Sequence, residues 1–291
     1  MSLNKQITLN TGAKIPQLGF GTWQSAPGEV GDAVYEACKV GYRHLYKPLL
    51  TIFSYENQQE IAEGLKRAFK EIPGLKREDL FITSKLWNSF ILFISLLLFN
   101  LAEDTIPLPK KAVWRVVKLT LTMMFLLLKL GESKARTVGV SNHMIPYLDV
   151  IIKATSITPA VNQIERHPCL QSNQLVEYCA KNRIHITAYL IFGNNMIGVP
   201  LLITRPEIQA VAQKVSVRLG RNITPAQVVL AWSQNFQELE LLDEEIEEIN
   251  QLGQSPQRYN VPFVANSPRW NINIFNEDSE KAAKFSINLK A

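Results

Sequence analysis

The chain has 291 residues, of which 46% are hydrophobic and 20% charged, with a formal net charge of +5. That length holds one large α/β domain or two ordinary ones with a full core, and the composition excludes a disordered chain. No basic stripe with interleaved aromatics is present, which excludes a nucleic-acid surface; the mild positive charge suits an anionic small molecule or ordinary surface lysines equally.

In chain order, Ile7-Thr8-Leu9 and Lys14-Ile15-Pro16 flank Asn10-Thr11-Gly12, the pattern of a short hairpin. Leu18-Gly19-Phe20-Gly21-Thr22 reads as an apolar strand whose glycines permit close backbone approach. Residues 28–40 carry Val30, Ala33, Val34 and Ala37 at helical spacing and stop at Gly41. A strand starts at Tyr42-Arg43-His44-Leu45. A helix over 57–72 follows, with Ile61, Leu65, Ala68 and Phe69 on one face, then a strand over 81–87. Further on, strands are predicted at 137–140, 160–164 and 184–189, and helices at 145–154, 173–181, 206–219, 225–232 and 243–252, before an irregular tail.

Repeated strand–helix units of this length imply parallel strands joined by helices. No Gly-x-Gly-x-x-Gly turn follows an early strand, since Gly19-Phe20-Gly21 lacks the third glycine and the helix start. That weakens an open dinucleotide-binding sheet and favours a (β/α)₈ TIM barrel in a single domain over residues 1–291.

Cys38, Cys169 and Cys179 are odd in number and have no metal-ligand spacing, so a reduced cytoplasmic protein with buried thiols and no metal is expected. The start shows no apolar run of a signal peptide. Two apolar runs, 90–101 and 119–130, are each about a dozen residues, short of the roughly 20 needed to span a bilayer. They read as core or as inserted sequence rather than as membrane segments.

Lys85 ends the apolar run Phe81-Ile82-Thr83-Ser84-Lys85, downstream of Tyr55-Glu56-Asn57. An ammonium beside a phenol favours phenolate, lowering the Tyr pKa from roughly 10 and making a proton donor near neutral pH. The bland alternatives are a half-buried loop tyrosine and a solvated strand-end lysine.

Eight ordered pieces then carry a resemblance. They are Leu18-Gly19-Phe20-Gly21-Thr22-Trp23, Gly41-Tyr42-Arg43-His44, Tyr55-Glu56-Asn57-Gln58-Gln59-Glu60-Ile61, residues 81–88, Gly139-Val140-Ser141-Asn142, residues 161–168, Asn194-Asn195-Met196-Ile197-Gly198-Val199-Pro200 and residues 267–275. Together these stretches resemble the aldo-keto reductases, in particular the NADP-dependent glycerol dehydrogenase and aldehyde reductase branch, over 1–88, 131–232 and 239–291.

The resemblance implies a monomeric NADP(H)-dependent oxidoreductase acting on a small carbonyl or polyol, with Tyr55 as proton donor and Lys85 as its charged neighbour. It implies that Ser141, Asn142 and Gln163 hold the nicotinamide carboxamide, a task suited to groups that both donate and accept. It places Tyr189 under the nicotinamide ring, Gly21, Thr22 and Trp23 at the cofactor, and Trp23, Trp87 and Trp270 around the substrate.

Three blocks depart from the family pattern. Where the family has an aspartate two residues after the histidine of Gly-Tyr-Arg-His, this chain has Tyr46, and no Asp or Glu occurs between Glu36 and Glu56. The step to Tyr55 is also longer by four residues. The fourth strand, with its Ile-His-Trp-Pro histidine, is replaced by the apolar segment within 89–130. The eighth strand, whose Ile-Pro-Lys-Ser end grips the 2′-phosphate, is missing near 233–238. Blocks with clean flanks look like retained or skipped gene segments rather than gradual divergence. The expected barrel is therefore incomplete, and the alternative function is an inactive relative or a mis-assembled gene product.

Overall fold

The computed structural model describes residues 3, 5–23, 25–48, 58–85, 136–194, 198–234, 239–261, 272–275, 277–283 and 285–286. The chain divides into two compact units, Met1–Thr137 and Val138–Ala291.

In the first unit, β1 (Gln6–Thr8) and β2 (Lys14–Pro16) pair antiparallel with Ile7 opposite Ile15, the hairpin the sequence predicts. Gly12 supplies the positive φ of 82° at its turn. A parallel sheet follows in the order β3-β4-β5, from β3 (Phe20–Gly21), β4 (His44–Pro48) and β5 (Phe81–Lys85). The first of these strands is shorter than its apolar run. β4 begins only at His44, so Phe20 and Gly21 alone find partners, in Leu45 and Tyr46.

Helices α1 (Val30–Lys39) and α2 (Gln58–Glu71) cover this sheet. Their periodic apolar residues meet as expected: Val30, Val34, Cys38, Ile61, Leu65 and Ala68 share one core with Leu45. Each buried valine, leucine or isoleucine among them contributes about 1.5–3 kcal/mol. The helices approach closely because both contact points are glycines; a Cβ on Gly64 would stand 2.2 Å from the Gly31 carbonyl oxygen. The rim is polar, with Arg67 stacked 3.8 Å from the Tyr35 ring centre and paired to Asp32.

The second unit holds another parallel sheet, β6-β7-β8, from β6 (Val140–Ser141), β7 (Val161–Glu165) and β8 (His185–Tyr189). Here α3 (Ile145–Thr155) and α4 (Asn173–Lys181) pack on one face through Leu148, Leu175 and Cys179 around Ile164. A separate core joins α5 (Pro206–Leu219), α6 (Pro225–Gln234) and α7 (Asp243–Asn250) through Ile208, Val211, Val215, Val228, Val229 and Ile249. Proline opens α5 and left-handed Gly220 closes it, the pairing of stop and start signals that the sequence offers.

The tail departs from its expected irregularity. Ile272–Asn273 (β9) and Phe285–Ser286 (β10) pair in parallel, because Glu280 turns the chain between them by accepting the Ile274 and Phe275 amides. All three cysteines are buried and free, as predicted.

Among the described residues, β3 pairs only with β4, and β8 only with β7. The other edges of the two sheets are β5 and β6. The apolar segment within 89–130 lies outside the described residues, as do 235–238. No helix among the described residues is long and apolar enough to cross a membrane.

Candidate active site

The sheet of the second unit has two unlike faces. Strand residues alternate in direction, and Val140, Ile164 and Ile186 pack toward α3 and α4. The opposite face therefore carries Ser141, Gln163, Glu165, Thr187 and Tyr189, with Ser141 paired in register to Gln163 and Glu165 to Tyr189. Parallel strands buried on both sides are normally apolar throughout. A polar face on such a sheet needs partners, either within the protein or in a ligand.

Some of those partners are internal. The Ser141 hydroxyl donates to the Gln163 carbonyl at 3.0 Å, and the Asn142 amide N–H donates to the same oxygen at 2.9 Å. Asn142 sits at a φ of 57°, a left-handed position that asparagine tolerates, which turns its side chain back toward β8. There its Oδ1 accepts the Tyr189 hydroxyl at 3.0 Å. Burial pushes the Tyr189 phenol up to about 12, so it stays a neutral donor. Gln163 is buried, 7% exposed as a residue, and its side-chain amide pairs with no group among the described residues.

Ser141, Asn142 and Tyr189 thus stand at the carboxyl ends of β6 and β8, with Gln163 paired to Ser141 between them, on the side where parallel α/β folds place ligands. The residues fit a carboxamide: no described residue pairs with the Gln163 side-chain amide, and Asn142 holds the Tyr189 hydroxyl on the same face of the sheet.

Five residues that the motifs did not single out complete this end of the sheet. Glu165 is fully buried, and its two oxygens accept the backbone N–H groups of Tyr259 at 2.6 Å and Asn260 at 2.9 Å. His167 Nε2 lies 3.0 Å from the same carboxylate, and Arg258 stands 3.6 Å away while gripping Glu277. Tyr259 lies edge-on to His167 and reaches the Pro200 carbonyl. Its ring covers Gly193, where a Cβ would stand 2.6 Å away. Asn260 donates through its side chain to the Tyr189 hydroxyl at 2.7 Å. The sequence held one sign of this network: Gln163, Glu165 and His167 recur at period two, so one face of the run is polar.

The first unit is built differently. The His44 ring bonds the Thr83 hydroxyl at 2.9 Å and the Pro16 carbonyl at 3.3 Å, and lies 4.5 Å from the Tyr46 ring. Tyr46, standing where the resemblance implies an aspartate, covers Gly19, whose Cβ would meet its ring at 2.6 Å. Thr22 is 1% exposed and donates its hydroxyl to the Tyr46 carbonyl at 2.5 Å. Gly21 faces open space and Trp23 is 42% exposed, leaving room for a ligand at the end of β3. Lys85 ends β5 with its backbone opposite Pro48. Tyr55, Trp87 and Trp270 lie outside the described residues, as does the Lys85 side chain. Among the described residues no cluster of His, Cys, Asp or Glu could hold a metal ion.

His143 and His185 are enclosed, and burial pushes both below the ordinary histidine value. With His44 and His167 committed to internal partners, no histidine stands in the setting that the resemblance implies for substrate orientation.

Comparison with known proteins agrees with the geometry. The model of the aldo/keto reductase family matches residues 113–284, more than half of the chain. The D/L-glyceraldehyde reductase of Hypocrea jecorina is 46% identical, with all of both chains covered. That alignment spans 335 positions against 291 residues here, so the relative carries stretches with no counterpart in this chain. The NAD(P)H-dependent D-xylose reductase of Candida tenuis is 32% identical over 78% of this chain and 80% of its own. Among solved structures, the aldose reductase of Schistosoma japonicum has a TM-score of 0.66 at 28% identity, covering 89% of this chain and 95% of that one. An aldo-keto reductase of Bombyx mori in complex with NADP matches in fold, with a TM-score of 0.66 at 24% identity, covering 89% and 96%.

Proposed function

The chain belongs to the aldo/keto reductase family, an oxidoreductase family with the α/β fold of the (β/α)₈ barrel, and from that membership we propose that it is an NADP(H)-dependent reductase of small aldehydes and ketones. The same chemistry run backwards oxidises a polyol. One observation carries the reading: the polar face of β6-β7-β8, where the Gln163 side-chain amide has no partner among the described residues and Asn142 holds the Tyr189 hydroxyl. The named relatives add a substrate class, since two of them are reductases of glyceraldehyde and xylose.

When bound, the dinucleotide would supply a hydride to the carbonyl carbon. Ser141, Asn142 and Gln163 would hold its carboxamide through paired donors and acceptors, and Tyr189 would lie under its ring. Tyr55 would give its phenolic proton to the carbonyl oxygen as negative charge develops there, and Lys85 would favour the phenolate left behind. The products are an alcohol and the oxidised dinucleotide, with the Tyr55 proton restored from water.

A second reading rests on Tyr46. A lysine without a carboxylate beside it loses part of the reason to stay charged when buried, so a chain that binds the dinucleotide yet turns over slowly, or not at all, is the alternative. Incubating the purified full chain with NADPH and a reactive small aldehyde separates the two. Loss of NADPH absorbance supports the reductase. Quenching of protein fluorescence by NADPH without turnover supports the second reading, and absence of both overturns each of them. Sequencing the transcript tests the mis-assembled product, which recovery of the Ile-His-Trp-Pro and Ile-Pro-Lys-Ser segments in the natural message would establish.

A further inference from the structure

We infer that Asn260 is the positioning residue for Tyr189, so that the segment Arg258–Val261, far along the chain from the strand motifs, sets how tightly the nicotinamide end of the cofactor is held. The inference rests on the reductase reading above.

Two side chains fix the Tyr189 ring. Its hydroxyl donates to Asn142 Oδ1 at 3.0 Å and accepts from Asn260 Nδ2 at 2.7 Å, so two amides grip one phenol oxygen from two sides. A phenol held by a single hydrogen bond can swing about it. A second bond from another direction removes that freedom. Asn142 has its direction imposed by the left-handed backbone at the end of β6. Asn260 has its direction imposed by Glu165, whose carboxylate accepts the Asn260 backbone N–H at 2.9 Å and that of Tyr259 at 2.6 Å.

Glu165 acts here through the whole of its carboxylate. Its oxygens are occupied by two backbone amides and by His167, with Arg258 close by. It serves as the post that brings Asn260 to Tyr189. The remaining grip on the segment lies outside the site: Arg258 stacks on Phe275 at 3.7 Å and pairs with Glu277, and Tyr259 is seated on Gly193. A segment anchored at so many points can hold a side-chain amide where a free loop could not.

The test is a double-mutant cycle between Asn260→Ala and Tyr189→Phe in the full chain, read in NADPH affinity by fluorescence quenching and, separately, in melting temperature. Asn260→Ala should weaken NADPH binding about two- to tenfold, the size of one neutral hydrogen bond. In the Tyr189→Phe background the same substitution should change affinity less than twofold, since the oxygen it acts on is gone. Equal weakening in both backgrounds would show that Asn260 acts elsewhere and overturn the inference. So would unchanged affinity in Asn260→Ala when the parent chain binds NADPH normally. A parent chain that binds no NADPH overturns the reductase reading and this inference together. A melting temperature that shows coupling while affinity shows none assigns the bond a structural role only, which also overturns it.

Discussion

The two parallel sheets have the same size and the same helix-covered face, yet their free faces are built from different chemistry. In β6-β7-β8 a hydroxyl, two amides, a phenol and a carboxylate share hydrogen bonds at the carboxyl ends of the strands. In β3-β4-β5 the equivalent face is filled by the His44 and Tyr46 rings stacked against Gly19, and no described carboxylate enters it. A polar network is as strong as its least satisfied member, whereas stacked rings tolerate the loss of a single contact. Each half is therefore fragile in its own way. The second unit depends on single atoms, the first on close approach.

The largest effect should come from Glu165→Ala. Removing the carboxylate leaves two backbone amides, His167 and Arg258 without their buried acceptor, which costs about 3–5 kcal/mol. Urea denaturation followed by the fluorescence of Trp232 reads it, because that indole bonds Asn250 and lies under Arg166 in the same unit. A loss below 1 kcal/mol would show that the network is not the support it is taken to be.

Gly64→Ala strikes the first unit at its closest approach. Alanine ordinarily improves a helix by up to about 1 kcal/mol, but here its Cβ meets the Gly31 carbonyl oxygen at 2.2 Å, a backbone atom that cannot swing aside. A net destabilisation of about 1–3 kcal/mol is expected from overpacking. A more stable variant in thermal melting would refute the glycine contact.

Acid should weaken the second unit. His143 and His185 have folded-state pKa values lowered by burial, so the unfolded chain takes up protons before the folded one does. Their contribution is present in full above the unfolded value of roughly 6.5 and is lost as pH falls from there toward the folded values. The slope reaches about 1.4 kcal/mol per pH unit for each group. Denaturation midpoints at pH 7.5 and pH 5.5 should differ, and replacing both histidines by glutamine should flatten the difference.

The smallest effect belongs to Thr22→Val, which keeps the shape and deletes the bond to the Tyr46 carbonyl. A loss of about 0.5–1.5 kcal/mol is expected. If NADPH affinity falls by more than that in the same variant, Thr22 touches the cofactor as well as β4.

Much of the fold was legible in short-range pattern. The hairpin followed from alternating apolar residues around Asn10-Thr11-Gly12, and α4 and α5 begin and end where periodicity and capping residues place them. Strand lengths were less legible, because a strand is as long as its partner allows; Phe20 and Gly21 pair only where Leu45 and Tyr46 stand opposite. At the candidate site, Ser141, Asn142, Gln163 and Tyr189 were found from motifs and do converge. Asn260 was not, since nothing near Arg258-Tyr259-Asn260 in the sequence says which strand it will meet.

The sequence by itself determined the family, the parallel strand–helix plan and the four residues at the ends of β6, β7 and β8, because those depend on local periodicity and on motifs that stay together along the chain. It also showed, at Tyr46, that the expected carboxylate is missing. Only the tertiary structure decided that the Glu165 carboxylate meets the Tyr259 and Asn260 amides, and that Asn260 reaches Tyr189 across 71 residues. A hydrogen bond between distant segments is set by where two backbones come to rest. That placement depends on the packing of whole elements, which no local pattern encodes.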